Sequence, residues 1–149
     1  LHTNDAPSSL TRLHDLGVQP FLTAATILGV LAQRLVRRLC PLCKQETAIN
    51  EQEWGHLTFD YVMDMPTMMY KAVGCEACRH TGYKGRVGIY EFMPVSLELK
   101  SIISAHGTLN DLKAQAKKEG VEPLRIAGAR KVIEGMTTLE EVLRVVPLN

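Results

Sequence analysis

The chain has 149 residues, of which 46% are hydrophobic and 22% charged. That balance belongs to a folded protein with room for one core and a small appendage, and it excludes a disordered tail. A formal net charge of +1 excludes the concentrated basic footprint of a nucleic-acid binder, so no nucleic-acid partner is expected.

Leu1-His2-Thr3-Asn4-Asp5 reads as the end of a strand passing into a loop, and because residue 1 is not methionine the chain is expected to be a piece of a longer protein. Pro7 suits the first turn of a helix, with Asn4 or Asp5 as its cap. Leu10, Leu13 and Leu16 recur near helical spacing until Gly17 supplies a left-handed stop. Pro20 starts a second helix, expected to run to about Leu39. Its first half, Phe21, Leu22, Ala24, Ala25, Ile27, Leu28, Val30 and Leu31, is apolar on every side, which predicts burial. Gln33-Arg34 interrupts that run before the roughly 20 apolar residues a bilayer requires, so no transmembrane segment is predicted. Arg34, Arg37 and Arg38 fall in its last turns, where cations offset the helix dipole. Arg34 and Arg37 are also candidates for a phosphate or subunit contact, because guanidinium groups make paired hydrogen bonds to phosphate.

Every cysteine in the chain belongs to one of two CxxC knuckles, Cys40-Pro41-Leu42-Cys43 and Cys75-Glu76-Ala77-Cys78. A CxxC turn points both sulfurs to one side of a tight loop, and two such turns facing each other supply the four thiolates of a tetrahedral Zn²⁺ site. With all four positions filled by protein the site is closed and structural, leaving no open position for a zinc hydrolase. Two disulfides are the first alternative, but the chain has no secretory signal and is not cysteine-dense. A redox CxxC is the second, and it calls for one pair beside a strand and helix, not two matched pairs. Thiols given to metal point to a reducing compartment, the cytosol. The long segment between Cys43 and Cys75 is no obstacle, since each doubling of a loop adds only about 0.6 kcal/mol of closure entropy. His80 is a rival ligand that four cysteines make unnecessary, while Lys44, Arg79, Lys84 and Arg86 lie close enough in sequence to offset the charge of the thiolates.

Between the knuckles, Lys44 to Glu53 is polar, and Met63, Met65, Met68 and Met69 are expected to fill an irregular small core. Met68 to Val73 suits a strand, as do Val87, Ile89 and Tyr90 beyond the turn bracketed by Gly82 and Gly85. The last third is helical. Ser96 starts a helix stopped by Gly107, Thr108 with Asp111 starts one stopped by Gly120, Pro123 begins a third stopped by Gly135, and Thr138 with Glu141 caps the last through Val145. These helices are expected to pack together and onto the helix from Phe21.

Several of these stretches, taken together, resemble the C-terminal part of the secretion ATPase superfamily. They are Leu1-His2-Thr3-Asn4, Ala32-Gln33-Arg34-Leu35-Val36-Arg37, the four cysteines, Gly82 to Glu91, and Arg130 to Val142. The resemblance is strongest to the type II secretion (GspE-like) and type IV pilus assembly (PilB-like) ATPases, and the phrase from Gly82 to Ser96 leans to the pilus branch. It implies a mixed α/β, mostly helical fragment. Residues 1–38 would end a RecA-like core, 39–86 would form a tetracysteine zinc subdomain, and 87–149 a strand with a C-terminal helical bundle.

The resemblance further implies a homo-hexameric motor that uses ATP and Mg²⁺ to drive type IV pilus assembly or type II secretion. Such a motor works in the bacterial cytoplasm, peripheral to the inner membrane, against a membrane platform protein or a cytoplasmic recruitment protein. His2 and Thr3 match the family's His box, near the γ-phosphate. The chain contains no GxxxxGK[ST] loop, so this piece is not expected to hydrolyse ATP alone. The reading from another class is a free-standing zinc-ribbon adaptor that binds a protein partner.

Overall fold

The computed structural model describes residues 1–146 and 148. Among them lie seven α-helices: α1 (Ala6–Asp15), α2 (Pro20–Thr26), α3 (Glu51–Thr58), α4 (Leu97–Ser104), α5 (Leu109–Lys118), α6 (Leu124–Ile133) and α7 (Leu139–Val145). Four strands accompany them: β1 (Gly29–Leu39), β2 (Gln45–Ala48), β3 (Met68–Lys71) and β4 (Tyr83–Pro94). The chain divides into two compact units, Leu1–Ala32 with Tyr90–Pro123, and Gln33–Ile89 with Leu124–Asn149. Strands β1 and β4 pair with each other, and each runs through both units.

The first unit is built on local signals. Asp5 caps α1 by accepting from the Ser8 N–H at 2.8 Å, Pro7 lies in the first turn, and Ser96 caps α4 at Leu99. Thr108 and Asp111 form a reciprocal capping box on α5. The core then gathers Ala6 and Leu10 of α1, Ala24 of α2, Met93 and Val95, Leu99 and Ile103 of α4, and Leu112 and Ala116 of α5. Helix α4 packs on α2 and α5, and α5 packs on α1. Glu91 is buried here at 3% exposure, and its carboxylate accepts from the Ala6 N–H at 2.6 Å. A carboxylate at the first turn of a helix satisfies one of the orphan donors there.

The second unit is organised on α6, which packs against α3, α7 and β3. Leu124, Ile126, Ala129 and Val132 of α6 are buried, as are Trp54 and Leu57 of α3 and Leu139 and Val142 of α7. At Gly128 a Cβ would fall 2.4 Å from Val142 Cγ1, so α6 meets α7 at a position that has no room for a side chain. Strands β2 and β3 pair antiparallel, from Gln45 opposite Lys71 to Ala48 opposite Met68. Among the described residues no helix is long and apolar enough to cross a membrane.

The structure corrects four expectations. The helix from Pro20 ends at Thr26, and Ile27 already has extended backbone (ψ 126). Residues 29–39, expected to be helical, form β1. Leu31-Ala32-Gln33-Arg34-Leu35 favours helix by propensity, but pairing with β4 overrides it. The burial follows a period of two, with Ala32 and Val36 buried and Leu31, Gln33 and Leu35 exposed.

The all-round burial predicted for this segment fails too: Phe21, Leu28 and Leu31 are 61%, 84% and 59% exposed. The methionines fill no core; Met65 and Met68 are exposed, and Met63 and Met69 are only half-buried. They lie on β3 and the loop leading to it. Finally, residues 1–3 form no strand and lead directly into the cap of α1.

Candidate metal centre

The two knuckles are folded by different local devices. Cys40 follows the last residue of β1, and its N–H donates to Gly82 O at 3.0 Å; the turn closes when Lys44 N–H donates to Cys40 O at 3.1 Å. In the second knuckle Glu76–Cys78 forms a single 3₁₀ turn. Arg79 and His80 then both adopt left-handed backbone, with φ of 55 and 62, a conformation that costs an L-residue about 1–2 kcal/mol. That wrap brings the His80 N–H to Cys75 O at 2.8 Å and the Gly82 N–H to Cys78 Sγ at 3.2 Å.

The result is one cluster. All four Sγ atoms, from Cys40, Cys43, Cys75 and Cys78, lie within 4.8 Å of one another, and among the described residues no other joins the group. Three of the separations, Cys40 to Cys75, Cys43 to Cys78 and Cys75 to Cys78, are 3.8 Å. A tetrahedron with zinc–sulfur bonds of about 2.3 Å has edges of about 3.8 Å, so the sulfurs already stand at metal-binding spacing. A disulfide needs about 2.05 Å, and all four thiols are free. Four soft sulfur donors suit zinc and reject hard cations such as Mg²⁺ or Ca²⁺.

Backbone dipoles prepare the sulfurs for negative charge. Gly74 N–H donates to Cys43 Sγ at 3.3 Å, and Cys75 N–H donates to Cys78 Sγ at 3.2 Å. Burial alone would push the Cys78 thiol up, but the N–H groups of Cys75 and Gly82, with the neighbouring thiols, bring it down to about 6. Cys43 moves the other way, to about 11, chiefly by burial and then by bonds to the other thiols, against one N–H from Gly74. Cys78 is thus readily ionised, whereas Cys43 needs a cation nearby to give up its proton.

The other predicted residues lie elsewhere. His2 is exposed and Thr3 half-buried in the first unit, where Thr3 Oγ1 donates to Asp5 O at 3.2 Å and shares a 2.7 Å hydrogen bond with Ser9 Oγ. Arg34 is half-buried on β1, donating to Gln33 O. Arg37 donates from Nε and Nη2 to Glu141 Oε2 at 3.1 and 2.9 Å, and its guanidinium lies 4.2 Å over the Tyr83 ring. His80 is exposed and stands apart from the sulfur group.

Sequence reading missed the importance of Glu141, which it saw only as half of a capping box. Its carboxylate, 1% exposed, also takes Arg144 Nη2 at 2.6 Å and the Arg37 N–H at 3.1 Å. Burial opposes its charge, yet the Arg144 and Arg37 bonds outweigh it and hold the carboxyl at about 2. The one available signal was an acid inside the apolar run Leu139, Val142 and Leu143.

The family described as Type II/IV secretion system protein matches residues 1–144 of the chain. Over its whole length the chain is 70% identical to the type IV pilus assembly ATPase TfpB of Acinetobacter baylyi, covering 26% of that protein. It is 43% identical over 96% of its length to the type IV pilus assembly ATPase PilB of Thermus thermophilus, covering 16% of it. To the type II secretion system protein E of Pseudomonas aeruginosa it is 44% identical over 97% of its length, covering 28%. The chain therefore spans between 16% and 28% of the relatives it matches.

Proposed function

The chain belongs to the Type II/IV secretion system protein family, and from that premise we propose that it is part of an ATPase motor for type IV pilus assembly. The observation that carries this reading is the identity of 70% along the entire chain to a type IV pilus assembly ATPase, against 44% to a type II secretion protein. In this reading the four cysteines hold a structural Zn²⁺. When bound, the ion supplies four metal–thiolate bonds with no open position, and so cross-links the two knuckles. The chain's own part is to deliver sulfurs at 3.8 Å spacing with N–H groups aimed at them.

The remaining roles follow the resemblance. His2 and Thr3 line the nucleotide site of the longer protein near the γ-phosphate, with ATP and Mg²⁺ bound by residues outside this chain. From its guanidinium chemistry and not from the resemblance, Arg34 serves a phosphate or subunit contact in the homo-hexamer. The motor acts at the cytoplasmic face of the bacterial inner membrane, on a platform or recruitment protein, with the zinc subdomain available for that contact.

A gene-replacement experiment tests this. The full-length protein containing this chain is expressed in a host lacking both its own pilus assembly ATPase and its own type II secretion ATPase, and surface pili and type II-secreted protein are both measured. Restored pili are expected, and a Cys75→Ser version is expected to bind nucleotide normally yet restore none. Restoration of type II secretion alone would overturn the pilus assignment, and restoration of neither would overturn the motor reading.

A further inference from the structure

The turn between α6 and α7, residues 135–138, supplies none of the four sulfurs, yet residues flanking the knuckles bond to it from several directions. Leu39, next to Cys40, donates its N–H to Met136 O at 2.8 Å. Thr137 Oγ1 donates to Arg37 O at 2.8 Å. Lys44, next to Cys43, donates Nζ to Gly135 O at 2.9 Å while lying 4.5 Å over the Tyr70 ring. Beyond the second knuckle, the Tyr83 hydroxyl shares a 2.9 Å hydrogen bond with Thr138 Oγ1, and Thr138 is the cap of α7. Gly135 has φ +73, and a Cβ there would come 2.9 Å from the Tyr70 ring, so turn and ring are in direct contact.

Apart from backbone hydrogen bonds and the buried Cys40 and Cys78, the knuckles have little packing to hold them. Leu42 and Val73, their apolar neighbours, are 75% and 48% exposed, so these loops add almost no buried apolar area of their own. Between Lys44 and Tyr83 a metal cross-link through the sulfurs would add to the Cys40 N–H to Gly82 O bond and the β1–β4 pairing, and would fix their separation. Groups that bind only one arrangement of a chain stabilise whatever else that arrangement holds.

We propose that metal in the tetracysteine centre is the lock on the α6–α7 turn and on the start of α7, acting through Lys44, Leu39 and Tyr83. The inference rests on the metal reading given above and goes beyond it: the centre secures a helix pair distant in sequence as well as its own loop. Metal occupancy and the order of α7 are then one equilibrium.

Hydrogen exchange by mass spectrometry on the whole chain tests the lock, with zinc content measured on each sample. Three samples are compared: zinc-loaded protein, chelator-stripped protein, and a zinc-loaded Lys44→Met/Tyr83→Phe double variant. In stripped protein, peptides covering 136–146 are expected to exchange about tenfold faster or more, while those of α5 are unchanged. The double variant is expected to keep one zinc per chain and still exchange several-fold faster over 136–146. A double variant that holds its zinc and exchanges at the parent rate there overturns the lock and leaves the metal reading standing. A purified chain that binds no zinc overturns both. If stripping also frees α3, the second unit has opened as a whole, and the double variant alone decides.

Discussion

Glu141 accepts both the backbone N–H and the guanidinium of Arg37, a residue 104 positions earlier. The bond joins β1 to α7 inside the second unit, and Arg144 completes the ring around the carboxylate from one turn further along α7. The two arginines are about half-exposed, at 47% and 61%, while the glutamate is buried at 1%. The desolvation cost therefore falls on the carboxylate, and the arginines keep part of their hydration.

Glu141→Gln keeps the shape and one acceptor but removes the charge. A hydrogen bond to a charged partner contributes about 1.5–3 kcal/mol, and the amide retains some of that, so a loss of about 2 kcal/mol is expected. Urea denaturation of the two proteins checks it. An unchanged midpoint would mean that the arginines gain as much from water as from the carboxylate.

The same residue predicts an acid limb. Its folded carboxyl titrates at about 2 against 4.5 for an ordinary glutamate. A depressed carboxyl contributes stability that is complete above the unfolded value and drains away as pH falls toward the folded one. Stability is therefore expected to decline between about pH 4.5 and pH 2, with a shallower decline in Glu141→Gln. Denaturation midpoints across that range would expose a failure as two parallel curves.

In the first unit, Glu91→Leu removes the acceptor of the Ala6 N–H, which lies in a buried part of α1. Stranding such a donor costs about 1–3 kcal/mol. Thermal unfolding should drop by several degrees, and amide exchange in the first turn of α1 should rise. A variant with parent-like stability would show that water reaches Ala6 after all.

Zinc removal should act on the second unit first. Purified protein is expected to carry one zinc per chain, released by a strong chelator with a fall in melting temperature of about 10 °C or more. Protein that holds well under one equivalent and melts unchanged in chelator contradicts the centre.

What was legible in the sequence was local. Asp5, Ser96, Thr108 and Thr138 announced their helices because a cap acts over three residues, and each accepts the bond expected of it. The four cysteines announced their cluster because ligand spacing within a turn is a short-range property. β1 was misread because Leu31 to Leu35 favours helix, and the pairing with β4 that decides otherwise lies some fifty residues on by the numbering of the two strands. Gly29 carried a clue, since its bare backbone lies beneath the Phe92 ring. The Arg37–Glu141 pair had no signal of its own, because no periodicity joins residues that far apart. α3 went unread for a subtler reason: Asn50 caps it by accepting from Glu53 N–H, but Gly55 and the short run hid the pattern.

The span from Cys43 to Cys75 leaves the first knuckle and returns to the second, with β2 and β3 side by side at its neck. Its far end, residues 61–66, has no regular structure, and Val62 there is fully exposed. Because closure entropy grows only as the logarithm of length, extra residues at Val62 cost little while the neck stays paired. That position is accordingly a handle, where an epitope or a fluorophore-bearing peptide can be spliced in to follow the protein in living cells.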